Sequence, residues 1–340
     1  MRLGIHHKAG SFSDRWISYC DEKGIPWKMV DCYDNSILEQ LADCNALMWH
    51  INQNNPKELL FAKQLIYSLG FYGKKVFPDF NTVWHFDDKV GQKYLLEAIK
   101  APIPDTEVFY DKFQATTWAK STKYPIVFKL RSGAGSQNVR LVNNFREARR
   151  IIRRAFSRGF NNYYALGHLK ESWRTYFMKR TNLQDLLEAH VRVVYPPPYA
   201  RVGGRERGYV YFQKFVPGNK FDIRTIVIGD KAFAIKRIVR KNDFRASGSG
   251  VILYDREHFD DQTIQLSFNL AEELHSQCTA FDFIYDNDKI YVVEISFGFS
   301  KEGYDPCPGY WDKGLNWHTG QFNPYGWMVD NLIKSISKGI

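Results

Sequence analysis

The sequence predicts an α/β protein in which a parallel, helix-covered N-terminal sheet is followed by two α+β lobes. Three observations carry this. Short apolar runs alternate with helical segments through residues 1–80, the β-α-β-α-β rhythm of a parallel sheet. Later strands, at 124–142 and 209–239, are joined by glycine-rich loops and tight turns rather than by helices. Ala280–Ser300, AFDFIYDNDKIYVVEISFGFS, sets two apolar-rich runs around a cluster of turn formers and reads as a β-hairpin. The expected divisions are an α/β domain at 1–85, a lobe at 86–212 holding a glycine-rich loop and a basic helical insertion, and a C-terminal lobe at 213–340.

In chain order, Arg2–His6 is a short strand, and Ser13 or Asp14 caps the helix that follows, ending near Gly24. Ile25–Cys32, Ala46–Ile51 and Lys75–Phe77 are further strands. Ser36–Ala42 and Pro56–Leu69 are helices, the second with Pro at its first turn and Gly70 beyond its last. No G-x-G-x-x-G follows the first strand, so a dinucleotide site is not supported. His6, His7 and Lys8 lie where such sheets bind ligands, although loop polarity explains them equally well. Asp87 or Asp88 caps a helix at Lys89–Ile99, and Thr116–Ser121 is another. Phe145–Phe156 is a helix rich in arginine, and 157–190 continues as basic helices, either a solvated face or a rim that steers anions. Strands return at Tyr209–Val216, Arg224–Ile228 and Lys231–Val239. A helix at 262–278 leads into the hairpin, and the aromatic tail Gly303–Trp317 is expected to be a structured loop.

The composition is that of a globular chain: 340 residues, 44% hydrophobic, 25% charged, with aromatics high at 16%. No run of about 18 apolar residues occurs, and the N-terminus lacks the apolar core of a signal peptide. The five cysteines form no C-x-x-C pair and read as free thiols of a reducing cytoplasm rather than disulfides or a zinc site. A net charge of +10 favours anionic partners without choosing among nucleotide, nucleic acid and lipid.

The chemistry concentrates in three places. If Asn287-Asp288-Lys289 is a three-residue loop, Asp282 lies opposite Glu294 and Ser296 shares their face; a two-residue loop pairs Asp282 with Val293 instead. Two carboxylates that close need a neutralising cation, and hard oxygen ligands suit Mg²⁺ held with a phosphate partner. Half-exposed acids in water are the alternative. Lys129 stands in an apolar strand, where an unpaired ammonium is costly, and leads into Ser132, Gly133, Gly135 and Ser136, whose small side chains leave backbone N–H groups open to phosphate. The third place is Arg237–Gly250, a polar, glycine-rich loop.

These parts, in this order, resemble the ATP-grasp superfamily from about Phe86 to Ser300. The carriers are Lys89 in FDDK, Lys129 in YPIVFKL with SGAGSQ, YFQKFVPG, DIR at Asp222–Arg224, Lys236-Arg237, FRASGSG, and the Asp282/Glu294/Ser296 set. The resemblance implies a pre-ATP-grasp domain followed by two lobes clasping ATP. It implies Lys89, Lys129 and Lys236 at the nucleotide, and adenine read by the segment Gln213, Lys214, Phe215 and Val216. It further implies Mg²⁺ on Asp282, Glu294 and Ser296, with Arg224, Arg237 and Arg245 at the transferring phosphoryl group. Two positions depart from the family pattern: Ser296 stands where Asn is the usual metal ligand, and Ser247 where Asn often precedes the glycines. NDFRASGSG, FDFIYD…VVEISFGF and PGYWD further resemble ATP-grasp proteins associated with surface-polysaccharide synthesis.

The expected activity is that of a carboxylate–amine ligase, ADP-forming, acting on small substrates such as an amino acid or a nucleotide-linked sugar. A kinase on the same scaffold and a basic nucleic-acid binder without chemistry are the rivals. No nucleic-acid partner is expected, a homodimer is the assembly considered, and the aromatic tail is either an acceptor pocket or a packed corner.

Overall fold

The structure, a computed structural model, describes residues 1–133, 139–163, 165–177, 182–239, 243–245 and 251–337, without the side chains of 166, 168, 171, 174 and 175. The N-terminal strands are short, and the two central ones, Leu3–His6 and Ala46–Trp49, are buried throughout, as expected where both faces are covered. β1 (Leu3–His6) is followed by α1 (Phe12–Lys23), β2 (Trp27–Val30), α2 (Ile37–Gln40), β3 (Ala46–Trp49), α3 (Pro56–Phe71), β4 (Lys75–Phe77) and α4 (Phe80–Val83). The sheet is parallel, in the order β2-β1-β3-β4. Alternation along the strands divides the core: Leu3, Ile5, Ala46, Met48 and Phe77 face one cluster, Val30, Leu47, Trp49 and Val76 the other. The cap of α1 is Ser11, two residues before the expected position. Its hydroxyl accepts from Ser13 N–H, while Ser13 itself is buried.

The central lobe opens with α5 (Lys89–Ala98), capped by Asp88, then β5 (Thr106–Phe109), α6 (Lys112–Ser121), β6 (Ile126–Lys129), β7 (Val139–Val142) and α7 (Phe145–Ala155). A small ribbon of β8 (Phe160–Asn161) and β9 (Arg205–Glu206) brackets α8 (Ala165–Phe177), α9 (Leu183–Val194) and α10 (Pro198–Val202). β10 (Val210–Lys214) completes an antiparallel sheet ordered β5-β10-β6-β7. Helices α6 and α7 cover one face of it, burying Ala115, Ala119, Ala148 and Ile152 against Phe128 and Phe212. β5 was not anticipated: four residues between a proline pair and a helix cap carry too little periodicity.

The last lobe contains β11 (Phe221–Ile228), β12 (Lys231–Ile238), β13 (Ile252–Leu253), α11 (Asp261–Glu273), β14 (Cys278–Asp286), β15 (Lys289–Ser296), α12 (Lys301–Tyr304), β16 (Gly309–Asp312), β17 (Trp317–Thr319) and α13 (Pro324–Ser337). Its sheet is ordered β15-β14-β11-β12-β16-β17, with β13 also on β12. One expectation is corrected. The aromatic tail forms strands, β16 pairing with both β12 and β17, rather than a loop. The C-terminal helix, not anticipated, packs against α1 and β4, so the chain end returns to the N-terminal sheet.

Candidate active site

A cleft of about 610 Å³ opens between the central sheet and the seven-stranded sheet, and the loop after β3 (His50–Asn54) lines one side. Its composition follows from which strand positions face inward.

The β14–β15 hairpin supplies the acids. Asp286 pairs with Lys289 across a two-residue loop, with Asn287 in the left-handed region (φ 53°). That register alone would set Asp282 opposite Val293. A bulge between Asp282 and Phe283 absorbs one residue on β15, so Phe283 pairs with Val292 and Asp282 with Glu294. The carboxylates therefore oppose each other, but through a bulge and not through the three-residue loop expected. Ser296 follows on the same lining, its hydroxyl donating to Gly298 O and accepting from Gly298 N–H, both at 3.2 Å.

Each carboxylate already has cationic partners. Asp282 takes Arg224 Nη1 on both oxygens (3.0 and 3.1 Å) and Arg237 Nη2 on Oδ1 (3.0 Å). Arg237 also makes a bidentate pair with Asp222 (2.7 and 2.8 Å), and Arg224 donates to Gly298 O (3.2 Å). Burial opposes ionisation of Asp282, yet the two guanidiniums hold its carboxyl below the ordinary value. Glu294 lies 3.1 Å from the ammonium of Lys89, which also donates to Gly133 O (2.8 Å). Burial works against that ammonium, and Glu294 and Asp87 more than compensate, leaving its pKa raised. Lys129 differs. Its ammonium is buried, with a backbone contact to Val293 O (3.2 Å), and burial pushes it down to about 8. It is the cation of the site with the least compensation.

The start of the glycine-rich loop is held by two acids that sequence reasoning missed. Glu206 accepts from the N–H groups of Arg131 (2.8 Å) and Ser132 (2.9 Å) and from the hydroxyls of Ser132 and Tyr209. Asp87 accepts from Gly133 N–H (2.7 Å), and burial raises it to about 6 against the pull of Lys89. Asp87 was legible only as one of two possible caps; Glu206 had no local signal. Gly135, Ser136 and Ser247 lie outside the described residues.

Gln213, Lys214, Phe215 and Val216 line the cleft where the two lobes join, with Gln213 Nε2 donating to Thr106 Oγ1 (2.9 Å). Arg245 reaches the cleft paired with Asp243 (2.7 Å). Lys236 does not line it: its ammonium sits 3.8 Å over the Phe221 ring, because its neighbour Arg237 takes the inward position. In the aromatic tail, Tyr304 lines the cleft. Trp311 is buried against Trp317 (4.5 Å) and Phe259 (5.6 Å), which makes it a packed corner and removes it from any acceptor pocket. The N-terminal domain contributes His50, whose Nδ1 accepts from Phe12 N–H (3.1 Å). Burial, with Lys8 and Lys301 nearby, lowers it to about 4, so the ring is neutral at physiological pH.

Among the described residues no three His, Cys, Asp or Glu side chains gather into a cage for a free metal ion. The donor set fits a cation that arrives with phosphate. Lys129, Lys214, Arg224, Arg237 and Arg245 share the lining with Asp87, Asp222, Asp282 and Glu294, and Lys89 and Asp243 pair with Glu294 and Arg245, so a polyphosphate entering the cleft meets carboxylates as well as cations and favours a counter-ion of its own. Glu294, more open than Asp222 and Asp282, is the carboxylate able to meet it.

No family model and no curated protein matches the chain. Solved structures do. A RimK-domain ATP-grasp protein from Sphaerobacter thermophilus DSM 20745 is 14% identical, covering 98% of this chain and 100% of that one, at a TM-score of 0.55. The D-alanine–D-alanine ligase of Bacillus anthracis, complexed with ATP, is 11% identical over 100% of this chain and 97% of its own, at 0.54. The D-cycloserine synthetase DcsG is 13% identical over 98% and 99%, at 0.59. The chain has the ATP-grasp fold.

Proposed function

We propose that the chain is an ATP-dependent ligase that activates a carboxylate as an acyl phosphate and joins it to an amine. The observation carrying this reading is the convergence of cations on one cleft. Lys129 of the central lobe and Arg224 and Arg237 of the seven-stranded sheet line it together with Glu294, which pairs with the buried Lys89.

Lys129 would bind phosphate oxygens, which supply the negative partner its ammonium lacks. Backbone groups of Gln213–Val216 would receive the base. Magnesium, when bound with the nucleotide, neutralises phosphate charge and polarises the phosphoryl group under transfer. Glu294 would hold it, with Ser296 next along the strand, whereas Asp282 would have to release an arginine to take part. Arg224, Arg237 and Arg245 would stabilise charge as a substrate carboxylate oxygen bonds to the γ-phosphorus and ADP departs. An amine then attacks the acyl carbon, the C–O bond to phosphate breaks, and the amine proton passes to solvent. The protein contributes position and charge rather than a nucleophile. Its five cysteines are buried and free, and burial pushes their thiols up.

The substrates of this reading are small, an amino acid or a nucleotide-linked sugar, in a cytoplasmic step of surface-polysaccharide synthesis. The pathway rests on the motif resemblance alone. With ATP, Mg²⁺ and the right carboxylate, hydroxylamine should trap a hydroxamate, and ¹⁸O from labelled carboxylate should appear in released phosphate. A stable phosphorylated product, formed without any amine and without free phosphate, would replace this reading by a kinase.

A further inference from the structure

Apart from Glu206, which anchors Ser132, the basic insertion stands away from the cleft: no described residue of 145–207 lines it. Yet this segment holds nearly all of the protein's net charge. It carries fourteen Lys and Arg against five Asp and Glu, a net of +9 out of +10; the remaining residues carry 33 basic and 32 acidic groups.

The distribution is sided. Helix α7 buries Ala148, Ile152 and Ala155, which leaves Arg146, Arg149, Arg150 and Arg153 in solvent, with exposed Arg158 just beyond. Among the described residues none of these five forms an ion pair. The only acid of the helix, Glu147, is used at its N-terminus, accepting from Asn143 N–H (2.9 Å). Helix α9 buries Leu186 and Ala189 and turns a second apolar row outward. Phe177, Leu183, Leu187, Val191, Val194 and Tyr195 are 56–75% exposed. Within α9 these fall at i, i+4, i+8 and i+11, one continuous stripe. Six large side chains so exposed make a patch on the order of 500 Å², at the upper end of what a monomer leaves in water. Helix α7 and helix α10, which follows α9, both meet the same ribbon. Gly208 N–H, after β9, bonds to Ala155 O at the end of α7 (3.0 Å), and Tyr163, after β8, packs on Tyr199 beyond α9 (6.5 Å).

We propose that the α8–α9 hairpin and the arginine ridge of α7 dock the protein on an anionic lipid surface. The charge selects the occupant. A second copy would set two segments of +9 against each other. A nucleic acid would satisfy the arginines but leave the Leu/Val stripe in water. An anionic bilayer takes both, arginines at headgroup phosphates and the stripe at the acyl boundary. Docking is peripheral, since no helix among the described residues is long and apolar enough to cross a membrane.

The test is flotation of the full chain with vesicles of phosphatidylcholine alone or mixed with phosphatidylglycerol. Binding to the anionic vesicles should exceed that to neutral ones by about tenfold or more and fall with salt. Two triple variants, Leu187→Gln/Val191→Gln/Val194→Gln and Arg149→Gln/Arg150→Gln/Arg153→Gln, should each lose most of it. Both change exposed side chains only, so their melting temperatures should match the parent; the single variants Leu187→Gln and Val191→Gln provide the same readout with less change to the helix. Equal binding to both vesicle types, or none, overturns the proposal. So does a stripe variant that floats like the parent while the arginine variant loses nucleic-acid binding. A parent dimer in light scattering that the stripe variant converts to monomer overturns it in favour of self-association.

Discussion

Replacing Lys129 by Met should make the ligand-free protein more stable and its ATP binding weaker. The Lys129 ammonium is pushed from its ordinary 10.5 to about 8 by burial, and its one hydrogen bond is to Val293 O. A displacement of that size corresponds to about 3 kcal/mol of cost for carrying the charge in the folded state. Methionine keeps the stem and removes the charge. It also leaves the Val293 carbonyl without this donor, at about 1 kcal/mol, so the net gain is about 2 kcal/mol. For 340 residues at about 2.1 cal/mol/K each, the unfolding entropy is roughly 0.7 kcal/mol/K, and Tm should rise by about 3 °C. The folded-state pKa lies below the unfolded one, so the cost is fully present below pH 8 and disappears as pH rises toward 10.5. The stability gap between variant and parent should therefore close over that window. Titration calorimetry should show Mg·ATP affinity down by more than about tenfold, or 1.4 kcal/mol. Scanning calorimetry across pH reads the stability arm. A variant that melts lower than the parent, with ATP affinity unchanged, would refute the argument that this ammonium is held uncompensated for phosphate.

Glu294→Gln should keep the fold and remove most ATP turnover, followed as ADP release. Loss of its pairing with buried Lys89 should cost about 1–2 kcal/mol, the low side of a buried pair because Glu294 is partly open; turnover at the parent rate would make the hairpin acids structural. Trp311→Ala should cost about 3–5 kcal/mol from lost packing against Trp317 and Phe259, read as a lower Tm. Its substrate KM should not move, and a raised KM with unchanged Tm would return Trp311 to the acceptor pocket.

Local patterning determined a good deal of this protein. Apolar runs with caps and breakers were enough for the parallel N-terminal sheet, because its central strands β1 and β3 are covered on both faces and read as short buried runs, while each edge strand adds one lysine to an apolar run. A lysine inside YPIVFKL and two acids in an apolar hairpin stand out because burying charge is expensive, and the structure lines one cleft with all three. What only the tertiary structure decided depends on partners distant in the chain. The pairing of Asp282 with Glu294 comes from a bulge, which one added residue creates and no local pattern announces. The partners of Asp282 are arginines on β11 and β12, the nearer 45 residues away, so its charge state follows from the stacking of three strands rather than from its neighbours. Lys236 and Arg237 are adjacent in sequence and alike in charge, yet the pleat turns one toward Phe221 and the other into the cleft. Glu206 became the anchor of Ser132 because β9 ends beside that loop, 74 residues away. Periodicity tells a side chain which face to take. Which groups meet it there is settled by register and by the packing of one lobe on another, since a charge in a low-dielectric cleft takes its pKa from whatever lies within a few ångströms.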